Sequence, residues 1–507
     1  MKIKFNSLKE NILYTESLNL PTKCFIDGKY QDSNSSPKYS VFNPYNGKLI
    51  CEVTCASKKE VNIAVKNARD SFNKGVWRDL PPIKRKNILL KFADLLEKNF
   101  KELAFLKTLE MGKPIRYSAT IDVKLCVSPL RYAAEAIDKI FGKVAPTPNH
   151  AIATITREPI GVVAAITPWN FPIMMSLWKY APALALGNSV VLKPAEQTPF
   201  TSLKIAEIAI EAGIPKGVFN VITGKGEITG KELALHNDVD CLSFTGSNNV
   251  AKLLLQYSGR SNMKRVSAET GGKTPNIIFK DAYDIEYASW QAAFGVFFNS
   301  GAMCVAGSRI LVQETIVDKV VAILKKAASK MNSGNPFDPN TRMGPIIDTE
   351  QYNKINHYIA LGKKEGATLA LGGNTLLNEE EGGNFIEPTI FTNVDNNMKI
   401  AQEEIFGPVV CVISFKDEEE AVEIANNTPY GLAAAIWTSD MAKGLRMSKR
   451  ISAGSIWINN WEGHDQTVPF GGFKQSGFGG KDKALEAFDK YSNIKTTWIH
   501  IDGKGVN

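Results

Sequence analysis

Residues 160–269 carry IGVVAAIT (160–167), SVVLKP (189–194), GVFNVIT (217–223), DCLSFTG (240–246) and RVSAE (265–269), short runs of β-branched and small apolar residues. Amphipathic segments long enough for helices separate them. Strands joined by helix-length crossovers imply a parallel sheet with helices on both faces, because such connections are right-handed and cannot be hairpins. The pattern predicts a doubly wound α/β sheet, which takes ligands beyond the carboxyl ends of its strands. A second alternation begins near 276 (NIIF, SRILVQ, PVVCVISF, AAAIWTS, SIWINN) and predicts a second α/β lobe facing the first across a cleft.

Upstream, NPYNGKLI (43–50) has the Asn-Gly signal of a hairpin, and QDSNSSPKYS (31–40) reads as a polar loop. Ser57-Lys-Lys-Glu60 is a capping box ahead of Val61, Ala64, Val65, Ala68 and Phe72 at helical spacing. A long helical region is expected from about Pro82 until Gly112 and Pro114 stop it.

At 507 residues the chain exceeds one hydrophobic core, so two or three domains are expected. Its 44% hydrophobic and 22% charged residues are those of a globular protein. The net charge of +8 is spread along the chain and interleaved with acids, a solvated surface or an attraction for anionic ligands rather than a nucleic-acid footprint. Cys24, Cys51, Cys55, Cys126, Cys241, Cys304 and Cys411 lack framework spacing, which fits a reducing compartment, and neither they nor the histidines have metal-ligand spacing. No metal is expected. The N-terminus lacks the apolar core of a signal peptide and no apolar run reaches membrane-spanning length, so a cytoplasmic protein without membrane association is expected.

Several strand ends carry unusual residues. Gly224-Lys-Gly226 with Gly230 follows GVFNVIT, and Phe244-Thr245-Gly246-Ser247 follows the next strand; both open helices, where backbone amides and the helix dipole favour a phosphate. Each alone is equally an ordinary tight turn, but two in succession favour a dinucleotide. Lys193 and Glu196 end SVVLKP, where they suit a ribose diol or a merely solvated pair. Cys304, in FFNSGAMCVAGSR, reads on its own as a small buried hydrophobe or as a nucleophile towards a carbonyl carbon. The thiol adduct would need an oxyanion donor, for which Asn170 in Thr167-Pro168-Trp169-Asn170-Phe171-Pro172 is a candidate, and Glu269 a candidate base for water.

Taken together TPWNFP, LKPAEQTP, FTGS, ETGGK, FFNSGAMCVAG, EEIFGPV and PFGGFKQSG, in this order over residues 22–500, resemble the NAD(P)-dependent aldehyde dehydrogenase superfamily. The resemblance implies a catalytic Cys304, a general base at Glu269, an oxyanion amide at Asn170 beside the Cys304 N–H, and a proton-relaying Lys179. It places Lys193 and Glu196 on the adenosine ribose, and Thr167, Trp169, Gly226, Gly230, Phe244, Gly246 and Ser247 around the rest of the dinucleotide. Glu404 and Phe406 fall on its nicotinamide end. Glu196 would favour NAD over NADP, with NADP still possible. The resemblance further implies a dinucleotide-binding domain at 22–142 and 160–270, a catalytic domain at 271–475, and a small β oligomerisation element at 143–159 and 486–500, hence a homodimer or homotetramer.

Three departures stand out: Ala251 where a second glycine is frequent, Met303 and Val305 flanking the cysteine, and Thr270 for the common Leu after the base. Within the family, YAAEAIDKIFGKVAP, SNMKRV, TVPFGGFKQSG and DKYSNIKTTWI are most similar to dehydrogenases of putrescine degradation that oxidise 4-(γ-glutamylamino)butanal and related aminoaldehydes. A substrate tunnel of Phe171, Met175 and Trp178 is expected, with Glu462 and Asp465 at its mouth attracting an amino group. Betaine aldehyde, a semialdehyde or simple aliphatic aldehydes are the alternative substrates, and a catalytically silent binding protein on the same fold is a distant one.

Overall fold

The computed structural model describes residues 7–31, 36–375, 382–463 and 465–501. Its first sheet is built on the five quoted runs, which form strands Val162–Ile166, Ser189–Lys193, Phe219–Val221, Cys241–Thr245 and Arg265–Glu269, all parallel. Short antiparallel strands close both edges: Phe25–Ile26 with Lys29–Tyr30 on one side, Gly477–Phe478 on the other. The order is decisive. From Val162–Ile166 the chain winds one way through Ser189–Lys193 and Phe219–Val221, then returns to the opposite side as Cys241–Thr245 and Arg265–Glu269. The crevice beyond Ile166 and Thr245 is therefore the topological switch point.

The central strands are buried on both faces, which explains their continuous apolar character. The second sheet contains strands Pro275–Ile278, Arg309–Gln313, Val409–Phe415, Ala433–Trp437 and Ser455–Ile458, parallel throughout, extended by Thr389–Thr392 and an antiparallel edge at Thr368–Leu371. A third sheet pairs Ala151–Pro159 with Ser492–His500 and with Lys143–Ala145. Every residue from Asn493 to His500 is exposed, Ile494, Trp498 and Ile499 among them.

The hairpin forms between Lys38–Phe42 and Leu49–Thr54, with Gly47 at φ 65° in its turn. Residues 38–40, expected in a loop, are thus strand; 32–35 of that stretch lie outside the described residues, as do residues 1–6 of the N-terminus. The capping box holds: the Ser57 N–H donates to the Glu60 carboxylate at 2.8 Å ahead of helix Lys58–Asn73. The long helical region is two helices, Pro82–Lys98 and Phe100–Met111, broken where Asn99 leaves helical geometry at ψ 13°. Gly112 ends the second in a left-handed conformation, packed so closely that a Cβ would lie 2.6 Å from the Pro345 ring. Among the described residues no helix is long and apolar enough to cross a membrane.

Candidate functional site

The switch-point crevice opens into a cleft of about 990 Å³ that reaches from Gly246 and Ser247 past Cys304 to Glu462. Pro168–Phe171 form one wall, immediately after the Val162–Ile166 strand, and helix Pro172–Ala185 continues it with Met175 and Trp178. Proline at the first turn of that helix costs no hydrogen bond and fixes the entry of the chain. Of the expected residues, Trp169, Asn170, Phe171, Met175, Trp178, Gly246, Ser247, Cys304, Glu404, Phe406 and Glu462 all line this one cleft.

Cys304 follows helix Ile285–Phe297 through a turn in which Asn299, Ser300 and Gly301 are all left-handed, at φ 54°, 53° and 78°. Glycine alone takes this conformation without cost, so Asn299 and Ser300 are held by their surroundings. Ser300 Oγ donates to the Gly344 carbonyl at 2.8 Å. Asn299 Nδ2 donates to the carbonyls of Ala302 at 3.0 Å and Asn170 at 3.3 Å. Asn170 Nδ2 donates to the same Ala302 carbonyl at 3.0 Å, while its Oδ1 accepts from the Phe171 N–H. The amide donor is thus oriented at the approach to Cys304, and Asn299 is a positioning residue that sequence reasoning missed.

Glu269 ends strand Arg265–Glu269 and is 3% exposed. Its Oε2 accepts from the Gly472 N–H at 3.1 Å, and its Oε1 is buried with no hydrogen-bond partner. Gly471, at φ 153°, approaches so closely that a Cβ would lie 2.4 Å from that oxygen. Burial pushes the carboxyl up to about 8, reinforced by the nearby Asp482 charge and opposed by Lys179 and Lys490. A carboxylate poised there, with one oxygen free, is equipped to take a proton from water. Thr270, the departure after the base, explains itself: its N–H and hydroxyl donate to the Ser476 and Gln475 carbonyls, tying the strand end to the segment that carries Gly471 and Gly472.

Burial likewise pushes the Cys304 thiol up to about 12, with the charges of Glu404, Glu462 and Glu269 acting in the same direction and a hydrogen bond from the Val305 N–H opposing them. Protein groups alone therefore hold it as a thiol. Ionisation needs a base to receive the proton or a positive charge to arrive in the cleft.

The other half of the cleft suits a dinucleotide. Gly246 has the Phe244 ring folded beneath it, where a Cβ would lie 2.4 Å from the ring, and Ser247 caps helix Asn248–Gly259, its Oγ accepting from the Val250 N–H at 3.4 Å. The helix N-terminus thus faces the cleft with the polarity an anion needs. Ala251 is buried in the apolar packing beneath this turn. Glu404 accepts from the Gly272 N–H at 3.2 Å, and a Cβ on Gly271 would meet its carboxylate at 2.1 Å. The Trp169 and Phe406 rings meet edge-on, 5.3 Å apart.

Lys193 and Glu196 do not line the cleft but stand together at the adjacent strand end, Nζ to Oε2 3.7 Å, with Gly230 against the Lys193 stem and open space beside Gly226. Lys193 is 3% exposed at its side chain and Glu196 38%, a buried cation offering donors beside an accessible acceptor, the pair a diol requires. Thr167 is buried, its hydroxyl 3.2 Å from Ser176 Oγ. Asp465 is not brought to the cleft; its carboxylate accepts from the Thr467 N–H at 2.8 Å and hydroxyl at 2.7 Å. Lys179 lies behind Glu269, fully buried, donating to Asp482 at 2.6 Å. Asp482, Lys490 and Lys483 were invisible as site residues, because a lysine-rich C-terminal stretch reads as solvated surface. Lys483 is 8% exposed and its ammonium stands 5.5 Å from the Trp178 ring centre, at the tunnel wall.

This geometry agrees with what the chain is similar to. Residues 30–497 match the aldehyde dehydrogenase family, and the chain belongs to that family. It is 44% identical over 486 residues to the NADP/NAD-dependent aldehyde dehydrogenase PuuC of Escherichia coli strain K12, covering 96% of this chain and 97% of that protein. The aldehyde dehydrogenase KauB of Pseudomonas aeruginosa superposes with a TM-score of 0.96 at 51% identity, covering 98% of this chain and 100% of that one. A gamma-glutamyl-gamma-aminobutyraldehyde dehydrogenase from Burkholderia cenocepacia J2315 gives 0.95 at 47% identity, with the same coverage.

Proposed function

We propose that the protein oxidises aldehydes to carboxylic acids through Cys304, with NAD as its main cofactor and NADP tolerated, and that its substrate is an aminoaldehyde of the 4-(γ-glutamylamino)butanal type. The observation that carries this reading is that Asn170 and Cys304 line one cleft, while the half-satisfied Glu269 carboxylate lies just behind its Thr270–Gly271 wall, near enough for its charge to act on the Cys304 thiol. Cys304 adds to the carbonyl carbon, its proton leaving to a base, and the Asn170 amide with the Cys304 N–H stabilises the oxyanion. A bound oxidised nicotinamide supplies the hydride acceptor and a positive ring that favours the thiolate. Loss of hydride leaves a thioester on Cys304. Glu269 takes a proton from water, which attacks the thioester carbon; the acid departs and the sulfur regains its proton. Glu404 and the Trp169–Phe406 pair would hold the nicotinamide end, Gly246, Ser247 and the glycines at 226 and 230 the phosphates, and Lys193 with Glu196 the adenosine ribose. A free 2′-hydroxyl suits Glu196, and a 2′-phosphate would meet its charge.

The aminoaldehyde reading is supported by the name of the Burkholderia cenocepacia relative and by a largely apolar tunnel whose lining includes Glu462. The exposed Ser492–His500 strand, with Ile494, Trp498 and Ile499 uncovered, supports assembly as a homodimer or homotetramer through the 143–159 and 486–500 element. A steady-state panel of aldehydes with NAD and NADP tests the reading. The highest kcat/KM is expected for 4-(γ-glutamylamino)butanal and its amino relatives; a preference for acetaldehyde or betaine aldehyde overturns the substrate assignment.

A further inference from the structure

Asp482 sits between two lysines in the interior. Its Oδ2 accepts from Lys179 Nζ at 2.6 Å and its Oδ1 from Lys490 Nζ, and all three side chains are at most 1% exposed. One carboxylate cannot balance two ammonium groups, so the trio alone would carry one positive charge sealed from water, which is unfavourable. The missing anion is Glu269, whose charge both lysines sense. Ionised, it brings the four groups to neutrality; protonated, it leaves the excess positive charge. The other titratable groups facing Glu269 are the Cys304 thiol and, through the carbonyls of Gly471 and Gly472 that it binds, Lys481. Those facing Lys490 are the Tyr491 hydroxyl, engaged with Ser243 Oγ at 2.8 Å, and the Cys241 thiol, which donates to the Lys490 carbonyl.

We propose that Lys490 is a positioning residue for the carboxylate base: as the second cation on Asp482, it supplies the charge that lets Glu269 ionise in a sealed site. The inference rests on the reading of Glu269 as general base. Without Lys490 the Lys179–Asp482 pair is neutral, and an ionised Glu269 is left uncompensated. The direction of the Glu269 shift agrees, since burial and Asp482 raise its pKa while Lys179 and Lys490 pull it down. No covalent step is involved; Lys490 keeps its proton, which its ion pair holds more firmly than usual despite burial.

The test is the pH profile of cofactor-free hydrolysis of p-nitrophenyl acetate, in which Cys304 is acylated and Glu269 assists release. For the Lys490→Met variant the acid limb is expected to move up by about one pH unit, a roughly ten-fold loss at neutral pH that vanishes at alkaline plateau. Lys490→Arg should keep the original limb. The double variant Asp482→Asn with Lys490→Met leaves only Lys179 beside Glu269, so its limb should return to that of the wild type; this holds the proposal to account even where the single variant fails to fold. A limb that stays in place in Lys490→Met, a rate lowered equally at every pH, or a double variant with a raised limb overturns it. If Glu269→Gln hydrolyses the ester as the wild type does, the base assignment itself fails; if Glu269→Gln is impaired and the Lys490 variants are not shifted, only the role of Lys490 fails.

Discussion

Behind Glu269 lie Lys179, Asp482 and Lys490, sealed from water and joined by direct ion pairs; at the other site, Glu462 lines the cleft, with Asp465 and Lys483 near it but outside the cleft lining. Glu462 lines the cleft at φ 58°, Asp465 is engaged with its own turn, and Lys483 has no carboxylate within ion-pair distance among the described residues. Burial lowers the Lys483 pKa, and Asp465, Glu462 and Asp482 counter it through space. The sealed trio, with its one excess positive charge, can act only on its own members and on Glu269. Glu462, by contrast, lines the cleft and meets what enters it. On the proposed reading the sealed cluster acts on the chemistry through Glu269 and the mouth on which molecule reaches Cys304.

Removing the group on which both clusters act breaks the comparison outright. Cys304→Ala should lower aldehyde-dependent NADH formation by at least ~10³-fold, the scale of losing a covalent nucleophile. Cofactor binding, followed by quenching of tryptophan fluorescence, should persist, because Glu404, Ser247 and Lys193 are untouched. Ester hydrolysis surviving in this variant would remove Cys304 from the mechanism and leave the two clusters without a common target.

Glu269→Gln sharpens the comparison on the sealed side, because the base is held at a cost. Its carboxyl is raised from 4.5 to about 8, so the folded chain keeps a proton that the unfolded chain loses across that interval. The associated stability is fully present below about pH 4.5 and is lost as the pH rises through about 8. Glutamine escapes that loss. The variant should turn over poorly after one burst of NADH per active site, yet unfold at a higher temperature than the wild type. Its advantage should widen between pH 6 and pH 9 to the order of a few kcal/mol. A gap in thermal midpoint that stays constant with pH would contradict the titration assigned to Glu269.

The two clusters also differ in how far the amino-acid sequence discloses them. The sheet was legible because each strand of 160–269 is buried on both faces and must be continuously apolar. Asn170 and Glu269 were legible because they stand at strand ends, next to turns that need proline or glycine. The break at Asn99 was not, since nothing between Pro82 and Gly112 forbids one continuous helix. Asp482 and Lys490 were not, because burial of a charge depends on partners some 200–300 positions away: Glu269 and Lys179. Asp465 was legible as a charge near the mouth but not as one engaged by Thr467, a distinction that only side-chain direction decides.

Glu462→Gln probes the mouth, where the expected effect is smallest. The carboxylate lines the cleft, and its charge is felt by the buried Lys113 behind the Phe171 and Phe298 rings as well as by Lys483. A cationic aldehyde such as an aminobutanal should lose affinity when that charge goes, raising KM about three- to ten-fold with kcat little changed, as expected for one partly solvated charge contact. A neutral aliphatic aldehyde should be indifferent. A zwitterionic tail should fall between them, since Lys483 remains to meet its carboxylate. Raised salt should shrink the difference for the cationic substrate. Equal changes for charged and neutral aldehydes would mean that Glu462 shapes the tunnel rather than reading charge, and the mouth would then differ from the sealed cluster in exposure alone.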